Sequence, residues 1–367
     1  MSMTTLAFIN LKGGPGKTVS AANMAHILAT VHKKRVLLVD GDKQGNASRY
    51  FGLYGVQEGT AELLLNLYTN VDEIICATEY KGLNVITSNM ELYAADRALW
   101  DDQDNDHTMD LRNALDRVRN DYDFCVIDNG PSADLITLNV LAAADDVMIP
   151  LRPDEFSFSG LLDLVDQVES VQEINPGLTM RGAFFTHWQN RPLFVEARES
   201  LVESRICPVF QTAINYNPKV PESTMAEKPL CVFAPRSWAA IQYKKLVLEY
   251  LELTDSDKKG RQAGQRGGRH RGGYFGCGHR ALADQPARRG AALCLHGAAV
   301  PAGGDLVYPH RGGKYHRKRR CPGRTGTRVA QEDDRRPGAE GGRGRGRDRR
   351  ERGIDAEPPS GKPEGVF

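Results

Sequence analysis

Residues 11–18 read LKGGPGKT, a stretch whose residue types can do chemistry on a phosphate. Gly13, Gly14 and Gly16 let the backbone turn its N–H groups inward on an anion, and a helix starting just after them adds the positive end of its dipole. Lys17 supplies a cation for β and γ phosphates, and Thr18 a hydroxyl for Mg²⁺. Pro15 is compatible, since it lacks an N–H and fixes φ at a value that turns tolerate. Gly16, Lys17 and Thr18 satisfy the phosphate-loop pattern GxxxxGK[ST], but Leu11 stands where the first glycine belongs and Lys12 adds a second cation.

Three aspartates could complete such a site. Asp128 closes the apolar run FCVID, the place where a phosphate-loop protein holds Mg²⁺ through a strand-end carboxylate. Asp40 and Asp42 follow VLLV two apart, so on a continuing strand they point the same way, and one could position an attacking water. Each acidic signal alone also fits ordinary turn chemistry.

These residues need elements to position them. LAFIN (6–10), VLLVD (36–40), LNVIT (83–87), FCVID (124–128), DVMIP (146–150), GAFFT (182–186) and VFQTAI (209–214) read as strands buried on both faces. Segments 18–32, 109–121, 134–144, 157–172, 193–204 and 237–253 carry helical periodicity. Strand alternating with helix predicts an α/β fold, a doubly wound, mostly parallel sheet with helices on both faces. Ligands in such sheets bind beyond the carboxyl ends of the strands, where the Gly-rich and Asp-rich segments fall.

The chain divides by composition. Residues 1–257 carry 22 Lys+Arg against 36 Asp+Glu, a net of −14, whereas 258–367 carry 26 against 11, a net of +15, and hold 24 of the 37 glycines. A first domain over 1–255 and a Gly/Arg-rich tail over 256–367 are expected, the tail too poor in aliphatic residues to offset its ordering entropy. Its GGRGRGRDRR run is of the kind that binds single strands. The same abrupt shift to Arg, Gly, Ala and Pro is what out-of-frame reading of GC-rich coding DNA produces, and translating the other two frames distinguishes the readings. Seven cysteines without a CxxC pair favour reduced thiols. No secretory signal precedes the first strand, and the longest apolar stretch is cut by Asp145 and Asp146, so no membrane span is expected.

Taken together, KGGPGKT, VDGDKQGNAS, DFCVIDNGPS and PLRPDEFSFSGL resemble, over about residues 4–253, the ParA family of deviant Walker A ATPases. The family patterns are KGGxGKT, VDxDPQGN, a strand ending D(T/C)PPS, and a P-x-x-x-E-x-F-x-x-x-G-L segment. The resemblance implies an ATP hydrolase, slow and partner-stimulated, that binds ATP with Mg²⁺ through Lys12, Gly13, Gly14, Pro15, Gly16, Lys17, Thr18 and Val19. It implies a homodimer formed on ATP binding, in which Lys12 reaches the phosphates held by the other subunit, as an arginine finger does. Catalysis would rest on Lys12, Lys17 and Asp42, and the metal on Thr18, Asp40 and Asp128. It further implies plasmid or chromosome segregation by a cytoplasmic, nucleoid-associated protein, with non-specific double-stranded DNA and a ParB-type centromere-binding protein as partners. A first strand beginning near residue 5 implies the short form without an N-terminal operator-binding extension.

Departures from the family are Asn129 and Gly130 after Asp128, Lys43 for the usual proline, and INYNPKVPES where relatives carry an arginine-containing stretch that contacts DNA. Lys219 and Arg191 are the nearest replacements, and surface cations serve that contact only when grouped. The net of −14 works against general DNA affinity, so any DNA contact must come from a local basic patch. A related ATPase that positions a non-DNA cargo or serves a mobile element is the competing expectation, since its ATPase core would look the same.

Overall fold

The computed structural model describes residues 3–56, 58–65 and 70–267, with side chains left aside at 155–159 and 258–267. The elements are β1 (Thr4–Phe8), α1 (Lys17–Thr30), β2 (Val36–Gly41), α2 (Asn46–Tyr50), α3 (Thr60–Leu64), a 3-10 turn (Val71–Glu73), β3 (Ile75–Ala77), β4 (Leu83–Ile86), α4 (Glu91–Asp101), α5 (Asp110–Asp116), β5 (Phe124–Asn129), α6 (Leu135–Ala143), β6 (Asp146–Leu151), α7 (Glu155–Val171), β7 (Thr179–Phe185), α8 (Pro192–Ser204), α9 (Lys219–Met225), α10 (Leu230–Phe233) and α11 (Trp238–Gly267). Seven strands form one sheet in the order β3-β4-β2-β5-β1-β6-β7. Every pairing is parallel except β3 with β4.

The period-2 alternation of each strand sorts its side chains into two cores. Ala7, Leu37, Val39, Cys125, Ile127, Val147, Ile149 and Phe185 meet Leu92 and Leu99 of α4, Leu115 of α5, Val140 of α6 and Leu164 and Val168 of α7. Leu6, Phe8, Val36, Leu38, Val126, Met148 and Phe184 face the other way, onto Met24, Ile27 and Leu28 of α1 and Tyr243, Val247 and Tyr250 of α11. Because both faces are covered, the strands read as unbroken apolar runs rather than alternating ones. The expected doubly wound sheet is present, with most strand limits within two residues.

Two departures have identifiable causes. Residues 209–214, expected as a strand, form only an isolated bridge from Val209 to Ala183, although Phe210 and Ile214 donate to Ala183 and Phe185 carbonyls. The segment lies along the outer edge of β7 without continuing a ladder. Gly182 makes that approach feasible: its φ is +137°, and a Cβ there would stand 2.5 Å from the Pro208 carbonyl oxygen. The antiparallel edge strand β3 is three residues long, too short for a periodic signal. Helix α11 runs through residue 267, and residues 268–367, with the readings made of that tail, lie outside the described residues. Cys125, Cys207 and Cys231 are free thiols.

Helix α1 is buried on nearly its whole circumference, and His26 is buried within it, stacked edge-on against Tyr80 at 4.8 Å. Burial, with a smaller push from the Lys244 charge, lowers the His26 pKa from 6.5 to about 4. A depressed pKa means the folded state binds the proton less well than the unfolded one. The stability carried by neutral His26 is therefore complete above about pH 6.5 and is lost as pH falls toward 4. His26→Leu is expected to remove up to about 3 kcal/mol of the pH dependence of denaturant unfolding in that window. An unchanged slope there would contradict this assignment.

Candidate functional site

Three neighbouring strands, β2, β5 and β1, end in one row: Asp40 is paired with Asp128, and Asp128 with Phe8, in the parallel register. The row places the two aspartates beside the loop that leaves β1. That loop turns through Gly14 at φ 86° and Gly16 at φ 89°, left-handed values that suit glycine, and Gly16 caps α1. Thr186, just past β7, holds the loop from behind by donating its hydroxyl to the Pro15 carbonyl at 2.8 Å.

Lys17 is buried, and its Nζ donates at 2.9 Å to the carbonyls of both Asn10 and Lys12. Burial lowers its pKa, and the charges of Asp128 and Asp42 oppose that shift. Asp128 is fully buried, and neither carboxylate oxygen completes a hydrogen bond among the described residues. Burial first, then the neighbouring Asp40 and Asp42 charges, push its pKa well above the usual carboxylate range; Thr18 and Lys17 pull the other way. The buried Asp128 carboxyl, with the Thr18 hydroxyl and the Asp42 charge near it, offers hard oxygens of the kind Mg²⁺ takes.

Asp40 is differently employed. Its Oδ2 accepts from the Ser48 N–H at 2.7 Å and hydroxyl at 2.6 Å, and its Oδ1 from the Asp42 N–H at 3.1 Å. Burial still raises its pKa to about 6. The carboxylate is arranged to hold the loop after β2 rather than to present open oxygens. Asp42, in that loop, accepts from the Gln44 N–H at 3.0 Å and faces Gly130, where a Cβ would lie 3.6 Å from Asp42 Oδ1. Asn129 anchors the following loop through a 2.9 Å bond to the Thr137 hydroxyl.

Residues 13–19, Val19 included, and Asp42 line a cavity of about 900 Å³ whose far wall is built by Ile214, Tyr216, Val220 and Met225. Helix α1 ties that wall to the loop: Asn23 donates to the Tyr50 hydroxyl at 3.3 Å, and Tyr50 pairs with Ser223 at 3.0 Å. Tyr243 meets Ser20 at 3.1 Å. None of these supports carries a sequence pattern, because each joins residues distant along the chain.

The remaining expected residues lie elsewhere. The side chain of Lys12 folds back on α7, so that a Cβ at Gly160 would stand 3.4 Å from Lys12 Cε. Lys219 is engaged with Glu222 at 2.6 Å, and Arg191 is exposed at the start of α8. Among the described residues no helix is long and apolar enough to cross a membrane.

A family model described as an AAA domain matches residues 3–180. The chain is 36% identical over 247 residues to the chromosome-partitioning ATPase Soj of Treponema pallidum, covering 67% of this chain and 96% of that protein. It is 34% identical over 248 residues to the sporulation initiation inhibitor protein Soj of Bacillus subtilis, covering 66% and 96%. A crystal structure described as cobyrinic acid a,c-diamide synthase from Mycobacterium smegmatis with bound ADP and magnesium superposes with a TM-score of 0.60 at 26% identity, covering 70% of this chain and 96% of that one.

Proposed function

Because the chain belongs to the ParA/MinD superfamily of P-loop ATPases, we propose that it is a partition ATPase that binds ATP with Mg²⁺, dimerises on doing so and hydrolyses the nucleotide slowly until a partner stimulates it. The observation that carries this reading is the buried Lys17, which lines a cavity of nucleotide size within reach of the charge of the buried Asp128 carboxylate. In the proposal the N–H groups of Gly13 to Val19 and Lys17 bind the phosphates, and Thr18 and Asp128 hold the metal, with Asp40 positioning the loop between them. Bound there, Mg²⁺ neutralises phosphate charge. Asp42 orients the water, and the wall of Ile214, Tyr216 and Val220 takes the base.

Lys12 leaves its place on α7 and reaches the phosphates of the second copy, making dimerisation depend on ATP. Sedimentation of wild type with a non-hydrolysable ATP analogue is expected to show a dimer, and Lys12→Ala a monomer; equal behaviour would remove the trans-lysine step.

The segregation role, with a ParB-type stimulator, is tested by retention on non-specific duplex DNA. Retention should require ATP and fall steeply with salt, as phosphate contacts do. A second reading, a non-DNA cargo, is favoured by the net of −14 over residues 1–257 and by the engagement of Lys219 with Glu222. ATP-dependent dimerisation without retention on DNA would select it.

A further inference from the structure

The loop after β2 carries Lys43 where the resemblance predicts proline, and the side chain has a definite employment. Its Nζ donates at 2.7 Å to Asp96 Oδ2 on α4 and at 2.6 Å to Asp134 Oδ2 at the start of α6, and it stands 5.1 Å from the centre of the Tyr93 ring. The three charged side chains are between 13% and 20% exposed, so solvent screens them less than an ordinary surface pair. Asp134 is at the same time the cap of α6: its Oδ1 accepts from the Thr137 N–H at 3.0 Å, and its Oδ2 also accepts from the Ser132 hydroxyl at 2.6 Å.

The consequence is geometric. Asp42 immediately precedes Lys43, and its carboxylate lies against Gly130. Lys43 reaches past that contact to the far end of the same loop, at Ser132 and Asp134. The segment after β2 and the segment after β5, which begins beside Asp128, are thereby fastened by one ionic contact, backed by α4. Lys43 does not line the nucleotide-sized cavity, although its neighbours Asp42 and Gln44 do.

We propose that Lys43 is a positioning residue: its paired contacts with Asp134 and Asp96 latch the loop carrying Asp42 to the loop following Asp128, so that the two move as one unit when nucleotide is bound or hydrolysed. The latch acts on turnover and not on nucleotide affinity. The turnover part rests on the proposed ATPase activity, while the coupling of the two loops stands without it.

The test compares wild type, Lys43→Met, which keeps the stem and removes the charge, and Lys43→Arg, which keeps the charge. Lys43→Met is expected to lower kcat for ATP by roughly ten- to a hundredfold, the effect of a small displacement of a reacting group, with KM within twofold. Lys43→Arg should recover most of it. Hydrogen exchange of the nucleotide-free proteins is the second readout: in Lys43→Met, peptides covering 42–50 and 130–137 should lose protection together, while α1 and β1 keep theirs. Unchanged kcat, or a rise in KM at constant kcat, would overturn the positioning role. Loss of protection in only one of the two segments, or in neither, would overturn the latch. Wild type that turns over no ATP under any condition would instead sink the ATPase reading, and the exchange data would still decide the coupling.

Discussion

Lys17→Ala is expected to lower ATP turnover at saturating nucleotide by on the order of 10²–10³-fold, the usual cost of removing one preorganised charge from a phosphoryl-transfer site. The argument starts from where the ammonium rests. It is buried and donates to two carbonyls of its own loop, Asn10 and Lys12, which hold it at the mouth of the helix α1 dipole. Burial depresses its pKa and the Asp128 and Asp42 carboxylates counteract that, so the site holds the cation in place by compensation rather than by a direct salt bridge. An arriving polyphosphate offers it a better partner than either carbonyl. Alanine removes that partner and leaves two carbonyl oxygens, which water can satisfy at the cavity wall, so the stability loss should stay near about 1 kcal/mol. Lys17→Arg should not rescue, because a planar guanidinium does not fit the space of a point charge between two carbonyls. Phosphate release under saturating ATP, with thermal unfolding as the control for folding, measures both. Turnover within tenfold of wild type in the alanine variant would remove Lys17 from the mechanism.

The sheet was legible because burial on both faces writes each parallel strand as a short unbroken apolar run. Phe124 to Ile127 and Val36 to Val39 are fully or almost fully buried, and no polar residue interrupts them. The placement of the loop at 11–18, Asp40, Asp42 and Asp128 at one edge followed from the rule for carboxyl ends of strands, and the paired register of Asp40, Asp128 and Phe8 agrees with it. The remainder had no local signal. Residues 209–214 have strand composition, yet composition does not say whether a ladder partner is available, and at the outer edge of β7 only an isolated bridge forms. Lys43 finds its partners 53 and 91 positions away, and Tyr50 finds Ser223 at a separation of 173, so no window along the chain contains both halves of either contact. Asp40 shows the finer limit: its type and place suggested a metal ligand, while its oxygens are committed to Ser48 and the Asp42 N–H.

Asp128→Asn is expected to abolish Mg²⁺-dependent turnover and, in the absence of nucleotide, to make the protein more stable. The second half distinguishes a site held ready for a cation from an ordinary structural aspartate. A structural carboxylate in a sheet is hydrogen-bonded, as Asp146 is by Tyr250 at 2.8 Å and Arg181 at 2.6 Å, and cutting it to an amide weakens the fold. Apart from the Thr18 hydroxyl no described residue offers Asp128 a hydrogen bond, and burial and the neighbouring Asp40 and Asp42 charges push its pKa well above 3.8. At neutral pH the unfolded chain leaves this carboxyl ionised in water. The folded chain must either bury the charge or bind a proton that the unfolded chain does not hold, and both lower stability. Asparagine has neither obligation but gives up the attraction to Lys17, so the net relief should be small, on the order of 1 kcal/mol. With Mg²⁺ and ATP present the order should reverse, since wild type gains the binding free energy of the complex and the variant loses the ligand that anchors the metal. Thermal unfolding of both proteins, with and without Mg²⁺ and ATP, supplies the four values. If the amide destabilises the nucleotide-free protein, Asp128 is part of the scaffold; if the order inverts on adding Mg²⁺ and ATP, its carboxylate holds the metal.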